Sequence, residues 1–124
     1  MDQEAEITRK LGIKPDSRVL VVGLAEGAGD LPRAASEERP DIVVAYFREA
    51  AQLRAEVARL GDLIFPDGML WIAWPRKAAG HRSDIDDNLI RDVVLPLGLV
   101  DTKVAALGED WSGLRVVWRK ERRT

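Results

Sequence analysis

Arg18-Val19-Leu20-Val21-Val22-Gly23 and Asp41-Ile42-Val43-Val44-Ala45-Tyr46-Phe47 decide the fold, because of how little chain lies between them. Val19 to Val22 is apolar without alternation, the pattern of a parallel strand covered on both faces. It runs into a glycine-rich loop, Gly23-Leu24-Ala25-Glu26-Gly27-Ala28-Gly29. The second stretch reads as the next strand. Only Leu24 to Pro40 lie between, which leaves room for a helical turn or two over Leu31 to Glu38. A strand–helix–strand excursion takes about 30 residues, so none fits there.

Outward from this pair, Glu4 to Leu11 reads as a short amphipathic helix that Gly12 stops. Ala50 to Leu60 is the clearest helix: Leu53, Val57, Leu60 and Ile64 recur at three and four, with Arg54, Glu56 and Arg59 on other faces. Phe65-Pro66-Asp67-Gly68 is a turn. Met69 to Trp74 is a third strand without alternation, ended by Pro75, with Trp71 and Trp74 on opposite faces and both expected in the core. Ser83 is the expected N-cap of a further helix, with Asp86 three residues on and Asp84, Asp86 and Asp87 at the positive end of its dipole. Ile85, Leu89, Ile90, Val93 and Val94 form its buried stripe, and Pro96 and Gly98 close it. Val100 to Leu107 and Leu114 to Trp118 follow as strands with no helix between them, an antiparallel hairpin topped by residues 108–113. Leu114, Val116 and Trp118 share one face of its last strand.

Right-handed crossovers make the first three strands parallel, with helices on both faces. The expectation is an α/β domain over residues 1–124: a three-layer mixed sheet of about five strands, three parallel plus the C-terminal antiparallel hairpin.

Composition narrows the function classes. The 124 residues contain no cysteine and one histidine, which removes disulfides, thiolate metal sites, cysteine nucleophiles and multi-histidine metal centres. A formal charge of −2 argues against a whole-domain nucleic-acid footprint. The basic end, with Arg115, Arg119, Lys120, Arg122 and Arg123, reads as a solvated tail. No apolar run reaches the ~18 residues of a membrane span. The acidic start lacks the apolar core of a secretory signal, so the expected location is cytoplasmic.

The layout resembles the class I S-adenosylmethionine-dependent methyltransferases, a Rossmann-like family. Leu11-Gly12-Ile13-Lys14-Pro15 ahead of Arg18 to Gly23 is similar to that family's lead into its first strand, and Phe65-Pro66-Asp67-Gly68-Met69-Leu70-Trp71-Ile72 to its turn into a later one. Closer still is the resemblance to a small bacterial family of unknown function, a truncated methyltransferase-like domain. It is carried by Leu70-Trp71-Ile72-Ala73-Trp74-Pro75-Arg76-Lys77, Gly98-Leu99-Val100-Asp101-Thr102-Lys103-Val104 and Trp111-Ser112-Gly113-Leu114-Arg115. The resemblance implies the methyltransferase sheet with two strands missing between Val22 and Ile42. It also marks departures: the acidic position of the family's first motif falls on Val21, and one motif glycine is Ala25. The strand whose terminal acid binds the ribose is absent.

Two loops at the carboxyl edge are the candidate ligand sites. The backbone amides of Gly23, Ala25 and Gly27 suit a phosphate or carboxylate if a helix begins near Leu31. Arg76, Lys77, His81 and Arg82 put four potential cations after the third strand, an anion clamp with Trp74 at its rim. Catalytic and metal-ligating residues are not indicated, and the residues leave the cofactor unknown. The expected function is therefore a non-catalytic domain that binds a small anionic ligand or a protein partner. The alternatives are a divergent methyltransferase, and an oligomerisation module that dimerises through the uncovered edge at Val19 to Val22.

Overall fold

Met69-Leu70-Trp71-Ile72-Ala73-Trp74-Pro75 forms β3 (Met69–Pro75), a strand at the middle of the sheet and buried from Leu70 onward. The structure, a computed structural model, describes residues 19–22, 40–76, 84–107 and 111–122. Around β3 stand β1 (Val19–Val22), β2 (Ile42–Tyr46), β4 (Leu99–Ala106) and β5 (Trp111–Trp118), in the order β1-β2-β3-β5-β4. β1 pairs with β2 and β2 with β3 in parallel. β5 is antiparallel to both β3 and β4, so β4 runs in the direction of the first three strands. This is the expected mixed α/β sheet, with the hairpin's second strand inserted ahead of its first.

Two helices, α1 (Ala50–Ile64) and α2 (Asp87–Val94), lie on one face. Leu53, Val57, Leu60 and Ile64 of α1 and Ile90 and Val94 of α2 are buried against Val43, Ala45, Leu70, Ile72, Leu114 and Val116. Val19, Ile42, Val44, Tyr46, Trp71, Ala73, Leu107 and Trp111 form a second buried cluster on the other face. The segments read as further helices, Glu4 to Leu11 and Leu31 to Glu38, lie outside the described residues. Trp71 and Trp74 fall in different clusters, as the period of two requires, and both are buried.

α1 runs four residues further than its clearest stretch, because Ile64 completes the same stripe before Pro66 bars another turn. After that turn, Gly68 N–H donates to Ile64 O at 2.7 Å and Met69 N–H to Asp41 O at 2.9 Å. A Cβ on Gly68 would stand 2.8 Å from Ile64 O and 2.9 Å from Asp41 O, so only glycine fits where helix and strand meet.

The start of α2 departs from expectation. Asp86, not Ser83, is the N-cap: its carboxylate accepts from Leu89 N–H at 2.8 Å. Ser83 lies outside the described residues. Asp87 accepts from Arg91 at 3.0 Å. Asp84 serves the other helix, accepting from Ala50 N–H at 2.7 Å, because Glu49 at the N-cap of α1 makes no side-chain cap bond. A donor that its own segment leaves unsatisfied finds its acceptor 34 residues on. At the other end, Gly98 closes the 3-10 turn Leu95–Leu97 with φ 99°, a left-handed value suited to glycine.

The hairpin is longer than expected. Trp111, Ser112 and Gly113 belong to β5 rather than to its connection, with Pro75 opposite Trp111 and Trp74 opposite Ser112. Between two neighbours, β5 follows β3 to the end of that strand. Leu114, Val116 and Trp118 do share the helix face, and Trp118 Nε1–H donates to Gly61 O at 2.9 Å, tying β5 to α1. β4 is an edge strand, irregular between Asp101 and Lys103 and exposed over residues 102–104, features that discourage strand addition. Arg91 clamps it to α2 through Asp101 at 2.9 Å. No helix of the described residues is long and apolar enough to cross a membrane.

Two measurements check this account. Asp84→Ala is expected to lower unfolding free energy by about 1 kcal/mol in chemical denaturation, the usual worth of a helix cap, although the residue lies outside α1. Gly68→Ala is expected to lose roughly 1–3 kcal/mol, because two backbone oxygens and the Ile64 Cβ stand within contact and must shift.

Candidate functional site at the carboxyl edge of the sheet

Because β1, β2 and β3 are parallel, Val22, Tyr46 and Pro75 end along one edge, and β5 begins there with Trp111. Open α/β sheets bind ligands at this edge. Of the residues singled out from sequence, Trp74 is 8 % exposed and packs with the helix-face core, so it is a core residue and not the rim of a site. Arg76, half-buried, directly follows β3. Gly23, Ala25, Gly27, Lys77, His81 and Arg82 lie outside the described residues.

Two residues at this edge, Tyr46 and Arg48, escaped sequence reasoning, and Trp111, placed by sequence at the top of the hairpin, joins them. Tyr46 ends β2 and meets Trp111 edge-on, with ring centroids 5.0 Å apart and an interplanar angle of 86°. The Arg48 guanidinium lies 5.1 Å from the Trp111 centroid, within cation–π range. The Tyr46 side chain is buried, and its hydroxyl has no hydrogen-bond partner among the described residues. Burial pushes its pKa above the ordinary value, so it is a neutral phenol at physiological pH. Tyr46 is the chain's only tyrosine, placed at the end of an otherwise aliphatic strand. That single break in the pattern was the available signal.

Beside this group, a cleft of about 280 Å³ opens between the ends of β1 and β2 and the first turns of α1. Among the described residues, Val22, Phe47 and Ala55 supply its apolar wall, and Tyr46, Gln52 and Glu56 also line it. Glu56 is paired with Arg59 at 2.8 Å. No group of three acidic or histidine side chains placed to hold a metal ion occurs among the described residues. Arg115, one of the basic residues near the C-terminal end, stands in β5, as its place between Leu114 and Trp118 predicts. Its Nε donates to Thr102 Oγ1 at 2.8 Å, and its guanidinium lies 6.0 Å from the Trp71 centroid. Those contacts make it part of the sheet surface.

Comparison with solved structures finds the same fold in methyltransferases. The CcbJ methyltransferase from Streptomyces caelestis matches with a TM-score of 0.59 at 9% identity, over 94% of this chain and 88% of that one. Fibrillarin from Aeropyrum pernix, in complex with natively bound S-adenosyl-L-methionine, matches with a TM-score of 0.57 at 16% identity, over 91% and 74%. Magnesium protoporphyrin IX methyltransferase from Synechocystis PCC 6803, with bound SAM, matches with a TM-score of 0.51 at 14% identity. The match takes in 77% of this chain but only 50% of that enzyme, so the chain spans about half its length. At these identities the likeness is one of fold. A search of curated proteins finds no match. Residues 9–120 match the family model described as "Protein of unknown function (DUF3052)", and the chain belongs to that family.

Proposed function

We propose that this methyltransferase-like domain does not transfer methyl groups and instead holds a small anionic ligand at the carboxyl edge of its sheet. The observation that carries the reading is the direct pairing of β1 with β2, Val19 opposite Ile42 through Val22 opposite Ala45, with β1 at the edge of the described sheet. Residues 23–41, 19 in all, are too few for two more strands and their crossovers, each of which needs about ten residues or more. The part of a methyltransferase sheet that carries the ribose-binding acid is therefore without a counterpart, and Val21 stands where the first motif has its acid.

Charge at the edge supports an anion in place of the cofactor. Arg76 and Arg48 follow β3 and β2, and Lys77 and His81 come next in sequence. The amides of Gly23, Ala25 and Gly27 complete the proposed cradle. The orphaned Tyr46 phenol supports the same reading, since a buried hydroxyl left unbonded costs about 1–3 kcal/mol and a ligand oxygen would satisfy it.

Calorimetric titration of the purified protein with S-adenosylmethionine and S-adenosylhomocysteine is expected to show no micromolar binding. Such binding would bring the divergent methyltransferase to the front. The double change Arg76→Ala and Lys77→Ala is expected to abolish anion binding while leaving the thermal unfolding midpoint within a few degrees. Tyr46→Phe is expected to leave the unliganded protein as stable or up to about 1 kcal/mol more stable, yet to weaken anion binding several-fold.

A second reading rests on the edge position of β1. Four consecutive apolar residues, Val-Leu-Val-Val, with one paired side among the described residues, suit strand addition by a second copy or another protein. Light scattering that reports a monomer at high concentration would remove the self-association form of it.

A further inference from the structure

The cleft beside the edge differs in chemistry from the cations near it. Its apolar wall is Val22, Phe47 and Ala55. Its one charged member among the described residues, Glu56, is neutralised locally by Arg59 at 2.8 Å. An inorganic anion or a sugar phosphate would find no cation lining it among the described residues. In size it exceeds the ~150 Å³ apolar cavity known to hold a benzene molecule, and it falls just short of ordinary ligand pockets.

Its position relative to Arg76 follows from the strand register. Tyr46 is opposite Ala73, and Phe47 N–H donates to Ala73 O at 3.0 Å, so Phe47 is level with Trp74. Arg76 comes two residues later on the neighbouring strand. With strands ~4.8 Å apart and ~3.3 Å of rise per residue, the two backbones are roughly 8 Å apart. A ring in the cleft and a carboxylate on a two- or three-atom arm span that distance.

We propose that the cleft takes the apolar body of the ligand, which is then an apolar organic acid of about one ring and a short arm, with its carboxylate directed to Arg76. This rests on the anion reading above and narrows it to a class of compound. Val22, Phe47 and Ala55 recognise the hydrocarbon, and Arg76 the charge. Ala55, at an exposed position of α1, sets the room available.

The test is an NMR titration of the full chain with 3-phenylpropionate, acetate, inorganic phosphate and 3-phenylpropan-1-ol, followed at the amides of Val22, Phe47 and Ala55. The expected order places 3-phenylpropionate roughly tenfold or more above acetate, the contribution of one buried ring, and above phosphate and the alcohol. Ala55→Leu, a good helix former at a surface site, is expected to bring 3-phenylpropionate down to the level of acetate. Arg76→Ala is expected to weaken both acids and leave the alcohol unchanged. If acetate or phosphate matches 3-phenylpropionate, or Ala55→Leu leaves its affinity intact, the cleft assignment is overturned while the anion reading stands. If the alcohol binds as tightly as the acid, the acid class falls and the anion reading with it. Failure of all four probes to bind overturns both.

Discussion

The pairing of β3 with β5 supports most of what is distinctive in this domain. β3 is buried along almost its whole length, so the backbone groups of its far side need a partner that water cannot supply. β5 provides it from Leu70 opposite Val116 to Pro75 opposite Trp111. Inserting β5 there displaces β4 to the edge, where its irregular, exposed middle is tolerated. The same insertion sends Leu114 and Val116 under the helices and brings the Trp118 indole to the carbonyl of Gly61.

It also builds the carboxyl edge. Trp111 is buried at the start of β5 only because β3 extends far enough to pair with it. Once there, it meets the ring of Tyr46 at the end of β2, on the far side of β3, and the guanidinium of Arg48 just after that strand. The site thus mixes a rigid aromatic base with cations from the chain that follows β2 and β3. The Tyr46 hydroxyl is a buried polar atom without a hydrogen-bond partner among the described residues, whereas protein interiors pair nearly all their polar groups.

The capping pattern shows how tertiary contact rearranges local signals. Asp84, Asp86 and Asp87 form one acidic run, and any of them suits the start of α2. In the folded chain they divide the work: Asp86 caps α2, Asp87 pairs with Arg91, and Asp84 reaches the first turn of α1. The run therefore joins the two helices that share a face of the sheet. Arg115 follows the same logic: its place in the last strand is local, but pairing with β3 and β4 sets it over Trp71.

What the sequence determined by itself is the set of elements and their depth. Apolar runs without alternation at Val19 to Val22, Ile42 to Ala45 and Leu70 to Trp74 dictate buried parallel strands, and the short gap after Val22 dictates a sheet lacking two. These are local consequences of burial period and chain length, legible without any partner. Only the tertiary structure decided that β5 enters between β3 and β4, that Asp84 caps α1, and that Tyr46, Arg48 and Trp111 converge. Each depends on which strand lies beside which. That choice is made by long-range pairing energy, not by the residues adjacent in the chain.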